Sequence, residues 1–178
     1  MSDAQPSIGN RLRLNLGSGK WNLEGWYNID AIVSPLAQRQ PDLICDLRSI
    51  PLPDGCAIEA MAIHVWEHID RWECDRTIDE WARLLRKGAT LILEMPDLLK
   101  CCRNVLDGVQ GKKPDQLGMW GLYGEPVGAP MQHKWGWTFT TLRPFLERHG
   151  FVDVHETRTQ FHQSGRDVRD FRVEARKA

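Results

Sequence analysis

The chain has 178 residues, long enough for one domain that buries a core without disulfide or metal staples, and a single domain is expected over 1–178. Its 23 basic and 24 acidic residues give a formal net charge of −1, so nothing global signals nucleic acid or an anionic membrane as partner. No 18-residue apolar run is present, the opening MSDAQPSIGN is polar and reads as a flexible lead-in over 1–10, and five cysteines without a CxxC pair fit a reduced, cytoplasmic setting.

Leu12, Leu14 and Leu16 alternate with polar residues and predict a strand ending at Gly17. Trp26–Ile29 and Asp42–Cys45 predict two short strands, the second followed by the turn-rich PLPDG at 51–55, where Asp54 reads as a turn residue. Ala57–Ile63 is a fourth strand. Over 75–86, Ile78, Trp81, Leu84 and Leu85 recur at helical spacing, with Lys87 and Gly88 expected to close the helix. Ala89–Glu94 predicts a fifth strand stopped by Pro96. A helix over 97–107 takes Asp97 as N-cap. The stretch 108–137 is rich in Gly, Pro and aromatic residues and is expected to act as a substrate-covering loop. Thr138–His149 predicts another helix, and Phe151–Thr157 with Phe171–Ala175 a closing antiparallel pair. Strands alternating with helices and ending in a hairpin imply an α/β sandwich on a mainly parallel sheet.

In such a sheet, ligands bind beyond the carboxyl ends of the strands. The turn Gly17-Ser18-Gly19 allows backbone to approach a ligand closely, and Asp30, closing the second strand, can accept bonds from ribose hydroxyls. A dinucleotide cradle needs a third glycine near Asn22 and an acid about twenty residues further on, and both are missing. The turn opens into WNLEGW, which is no helix start, so phosphate binding at a helix N-terminus is disfavoured. A ligand with a ribose and no phosphates fits better.

LNLGSG, GWYNID, CDLRSIPLPDG, AIHVWEHI and LRKGATLILEMPD, in that order, resemble the class I S-adenosylmethionine-dependent methyltransferases, in particular a small group of predicted methyltransferases that begin LNLGSG and continue G-W-x-N-I-D. The likeness covers residues 11 to about 151 and implies a Rossmann-like sandwich with S-adenosylmethionine as cofactor and S-adenosylhomocysteine as product. It implies that Gly17, Ser18 and Gly19 pass under the methionine part, Asp30 holds the ribose, Asp46 and Leu47 meet the adenine, and His64 lies near the sulfonium. Asn15 stands where many members carry an acid near the methionine amine, and Trp21 where a third glycine is common. Asp46 has a second reading, as the cap of its own turn.

HVWEH at 64–68 is the second informative stretch: in a helix His64, Glu67 and His68 share one face. His133, in QHKWGWT, is expected at the cofactor rim with them, and His68, His133 and Glu67 are the catalytic candidates. The segment also resembles ubiquinone-pathway and small-RNA 2′-O-methyltransferases in which E-x-x-E-H holds a divalent metal. Here His64 replaces the first glutamate, and a His/His/Glu set suits Zn, Fe or Mn better than Mg. A metal is the less favoured reading, and no residue is assigned as a ligand. His149, His155 and His162 are expected in surface or packing roles, and Arg166, Arg169 and Arg172 on a solvated face. The leading expectation is methyl transfer to a small-molecule acceptor. The alternatives are a non-catalytic cofactor-binding partner subunit, a metal-assisted O-methyltransferase, including one acting on RNA 2′-hydroxyls, and, last, a nicotinamide oxidoreductase.

Overall fold

The computed structural model describes residues 11–109, 117–125, 131–160 and 168–178. Among these residues, seven strands form one sheet: β1 (Leu12–Leu16), β2 (Tyr27–Asp30), β3 (Leu43–Ile44), β4 (Ala57–Ile63), β5 (Leu85–Pro96), β6 (Phe151–Thr157) and β7 (Asp170–Lys177). Their spatial order is β3-β2-β1-β4-β5-β7-β6. The first five run parallel, and β7 lies antiparallel to both β5 and β6. The expected mainly parallel sheet with an antiparallel C-terminal hairpin is present. The order reverses at β1, so the ends of β1 and β4 flank a switch point, the natural place for a ligand in an open sheet.

Among the described residues, four α-helices flank the sheet: α1 (Cys74–Leu84), α2 (Leu98–Leu106), α3 (Leu117–Tyr123) and α4 (Phe139–Arg148). Asp97 caps α2 as expected, its carboxylate accepting from the amides of Leu99 and Lys100. Thr138 caps α4 through a reciprocal pair of bonds with Thr141. Two expectations fail. Lys87 and Gly88 do not close α1: the helix ends at Leu84 and Leu85 already pairs with Ala57. The next partners are Glu59 and Thr90, so β5 bulges between Leu85 and Thr90, and Gly88 (φ +78°) takes the left-handed position that glycine adopts freely. The stretch 108–137 is not loop throughout, because α3 lies inside it. Gly118 and Gly121 let α3 sit tight on α2: a Cβ at either would fall 2.2 Å from Cys101 atoms.

Trp66, Trp81, Trp137 and Phe145 stack in the core, with ring centroids 5.1 to 6.2 Å apart. They join the turn after β4, α1, the approach to α4 and α4 itself. Trp81 Nε1 donates to the Leu47 carbonyl at 2.8 Å and so fixes the segment that leaves β3.

Among the described residues no helix joins β1 to β2. A short looped segment does so, held by Asn28. This fully buried side chain accepts from Asn15 Nδ2 and Leu23 N and donates to the carbonyls of Leu23 and Trp26 and to Asp42. A buried polar group so satisfied fixes one loop conformation. Trp81→Phe leaves the Leu47 carbonyl unpaired in the core. It should lower unfolding free energy by about 1–3 kcal/mol, read from urea midpoints, and an unchanged midpoint would show that this bond contributes nothing.

Candidate functional site

Gly17 and Ser18 follow β1, and both amides donate to the Ile29 carbonyl of β2, at 2.8 and 3.0 Å. Gly17 (φ +70°) presses against the turn after β4: a Cβ there would stand 2.4 Å from Val65 Cγ2. Gly19 (φ +54°) faces open space, with nothing within 4 Å of an added Cβ. Asp30 Oδ2 accepts from Gly19 N at 2.6 Å and Oδ1 from Ile32 N at 3.1 Å. Each carboxylate oxygen keeps a further lone pair for a ligand hydroxyl. The Ser18 hydroxyl is buried and has no hydrogen-bond partner. An open glycine, an orphaned hydroxyl and an acid with spare lone pairs suit a ligand rich in hydroxyl and amino groups.

The other cofactor-side candidates lie at the same edge of the sheet. Asn15 is buried and gives its amide hydrogens to Trp21 O (2.8 Å) and Asn28 Oδ1 (2.9 Å), so it braces the loop. Asp46 is exposed, accepts from Arg48 N at 2.9 Å and pairs with the Arg48 guanidinium, whose hydrogen bond holds the carboxyl down at about 2. That is the turn-capping arrangement. Leu47 is buried, with its carbonyl on Trp81.

The second half of the site follows β4. His64 does not open a helix: it sits at φ +53°, an uncommon conformation for a non-glycine residue, and a single 3₁₀ turn follows over Trp66–His68. Its amide donates to Glu94 O of β5 at 2.8 Å. Its Nδ1 bonds Glu67 Oε1 at 3.0 Å, and its Nε2 lies 3.3 Å from Asp170 Oδ2. Burial opposes the imidazolium, but the hydrogen bonds to Asp170 and Glu67 prevail and push His64 up to about 9. Asp170 is fully buried, takes a second bond from Arg169 Nη2 at 2.9 Å, and is held at about 2 by His64 and Arg169 against the effect of burial.

Glu67 is buried too. Burial raises its carboxyl, but the His64 hydrogen bond and the His64 charge bring it below its ordinary value, so it is ionised. Its Oε2 has no hydrogen-bond partner. His68 Nδ1 meets Gln132 O at 3.0 Å and His133 Nδ1 meets Gly121 O at 2.8 Å. A carbonyl only accepts, so each ring donates from Nδ1, and that bond leaves its Nε2 free. Burial pulls His133 below the usual histidine value, which keeps it neutral. The two rings meet edge to face at 4.8 Å, and His133 Nε2 stands 3.9 Å from Glu67 Oε1. The Glu67 carbonyl accepts from Lys134 N and Trp135 N, which straps the His133 segment onto the turn.

The structure therefore brings together His64, Glu67, His68 and His133. It adds Asp170, which the sequence did not single out, the one hint being an acid directly before the alternating run FRVEA, and Arg169, which was expected on a solvated face. Arg169 and Arg172 are not on a solvated face: both are buried, paired with Asp170 and Glu94. His149 bonds Asp79 and Asp75 at the end of α4, and His155 is exposed, the surface and packing roles expected. Arg166 and His162 lie outside the described residues.

No family model matches the chain, and no curated protein gives a significant match. Solved structures do match. A SAM-dependent methyltransferase from Archaeoglobus fulgidus aligns over 94% of this chain and 86% of its own, with TM-score 0.62 and 16% identity. The fold is that of S-adenosylmethionine-dependent methyltransferases. A Thermotoga maritima SAM-dependent methyltransferase, a possible histamine N-methyltransferase, covers 94% of this chain and 82% of its own at TM-score 0.64 and 14% identity. The Burkholderia thailandensis 1,6-didemethyltoxoflavin-N1-methyltransferase, with its acceptor and S-adenosylhomocysteine bound, covers 94% and 72% at TM-score 0.58 and 15% identity. In this methyltransferase fold Gly17–Gly19, Asp30 and the His64–His68 turn all lie at the carboxyl edge of the parallel strands.

His64 carries a pH signature. Its folded value, about 9, exceeds the ordinary 6.5, so its contribution to stability is complete below pH 6.5 and is lost as pH rises through about 9. Urea midpoints should fall across that window, and His64→Gln, less stable throughout, should lose that part of the slope. An equal slope in the variant would show that His64 is not held as a cation.

Proposed function

We propose that the chain transfers a methyl group from S-adenosylmethionine to a small-molecule acceptor, with S-adenosylhomocysteine as product. The observation that carries this reading is the contact between Gly17 and Val65, which makes the glycine cradle and the His/Glu turn two walls of one site. When bound, S-adenosylmethionine supplies a methyl group activated on a sulfonium. Gly17, Ser18 and Gly19 accommodate its methionine part, and the orphaned Ser18 hydroxyl gains a partner there. Asp30 receives the ribose hydroxyls on its spare lone pairs, and Asp46 with Leu47 flanks the adenine. Asn15 acts indirectly, through the loop it braces.

His64 faces the sulfonium end as part of a compensated set. Its charge and that of Arg169 balance those of Glu67 and Asp170, so a cationic ligand meets no net repulsion from these four groups. Glu67, His68 and His133 form the acceptor side. The acceptor's lone pair forms the new bond to the methyl carbon as the carbon–sulfur bond breaks, its electron pair remaining on sulfur. The protein's part is alignment of the two reactants and removal of the acceptor's proton. His68 and His133, with Nε2 lone pairs, are the groups that can take it.

Calorimetry with S-adenosylhomocysteine, beside turnover on a panel of hydroxyl and amine acceptors, tests the proposal. Asp30→Ala should weaken binding about thirtyfold, the equivalent of about 2 kcal/mol; unchanged affinity would move the ribose elsewhere. His133→Ala should lower turnover at least tenfold while leaving S-adenosylhomocysteine affinity near wild type. The reverse pattern would remove His133 from the acceptor side. Tight binding without turnover on any acceptor would favour a cofactor-binding partner subunit.

A further inference from the structure

We infer that Glu67, His68 and His133 form a binding site for one divalent transition-metal ion, in which the ligands are Glu67 Oε2 and the Nε2 atoms of the two histidines. One potential ligand atom from each of the three residues lies within 4.8 Å of the others. Ligands of a tetrahedral ion held at about 2.1 Å lie about 3.4 Å apart, so small side-chain rotations close the set.

Two further observations single this cluster out. The first is the buried Glu67 Oε2, a carboxylate oxygen with no hydrogen-bond partner. Such an atom is costly to keep in a fold unless something binds it. The second is the outer layer. His68 and His133 each give their Nδ1 hydrogen to a backbone carbonyl, Gln132 and Gly121, and Glu67 Oε1 is fixed by His64 at 3.0 Å. Each ligand is thus oriented from behind by a second partner, the pattern that metal sites use to fix tautomer and ring angle. His64 is not a ligand: both its nitrogens face carboxylates.

Two imidazoles and one carboxylate select zinc, iron, cobalt or manganese over magnesium, and three protein ligands leave at least one position open. What the ion does there rests on the methyl-transfer proposal. It would bind and acidify an acceptor oxygen, which points to hydroxyl-bearing acceptors; with the ion bound, the Nε2 lone pairs of His68 and His133 would be taken up as ligands, so the ion would replace their direct base role and the proton would pass to solvent.

Chelator-stripped full-length protein should be titrated with Co²⁺ and Zn²⁺, followed by visible absorption, calorimetry and melting temperature, with S-adenosylhomocysteine affinity measured in parallel. The expected result is one ion per chain, cobalt bands in the visible and a higher melting temperature. Glu67→Gln, His68→Ala and His133→Ala should each weaken binding by ten- to a hundredfold, while His149→Ala, at the surface Asp75/Asp79 pair, leaves it unchanged. Glu67→Gln keeps the side-chain size and an acceptor for His64, so it reads out the site even if a histidine variant fails to fold. No stoichiometric binding, or binding undiminished in Glu67→Gln, would overturn the inference. Metal binding without S-adenosylhomocysteine binding would uphold it and remove the methyl-transfer proposal; the converse would remove the metal site alone.

Discussion

His64, held between Glu67 and Asp170, is the constraint on which the carboxyl edge of the sheet depends. One residue joins four elements: it ends β4, donates its amide to β5, reaches the first residue of β7 and fixes the carboxylate of the following turn. It does so from a left-handed backbone conformation, which for a residue other than glycine costs of order 1 kcal/mol or more and persists only where the surroundings impose it. Two buried carboxylates and an arginine impose it here. Removing any one charge would leave at least one neighbour short of a counter-charge away from water.

From that clamp the site is built outward by backbone. The turn after β4 presents Val65 to Gly17, so the loop after β1 cannot carry a side chain there. The Glu67 carbonyl anchors residues 134 and 135, which delivers His133 and lets Trp137 enter the aromatic core. α3 then closes on α2 through two glycines and brings the Gly121 carbonyl to His133. Acid, imidazole and glycine cradle thus meet at the reversal point of the strand order. A single architecture places the glycine cradle and Asp30 on one side and the Glu67, His68 and His133 side chains on the other.

Much of this was legible in the sequence, for identifiable reasons. The alternation in RLRLNL, the apolar run in β4 and the spacing of Ile78, Trp81 and Leu84 report burial directly, so strand and helix positions followed. Asp97 and Thr138 act within three residues of themselves, and local chemistry of that kind can be read from spacing. The bulge in β5 could not, because Lys87-Gly88 is equally good as a helix stop; the pairing of Leu85 with Ala57 decided it. At the site, glycines, Asp30 and the HVWEH histidines stood out by residue type. Asp170 did not, and Arg169 was read as solvated, since the burial of both depends on β7 inserting beside β5 from some seventy residues away in the chain. Asn28 was missed for a similar reason: an asparagine in a short strand looks like surface until the loops on either side fold onto it.

On this reading, Gly19, Asp30 and the His64 turn enclose one ligand. A crystal structure of the chain with S-adenosylhomocysteine tests it most directly. The ribose is expected on Asp30, the amino-acid portion over Gly17–Gly19 beside Ser18, and the sulfur facing His64 and the Glu67/His68/His133 cluster. A ligand bound elsewhere, or with its sulfur turned away from that cluster, would contradict it.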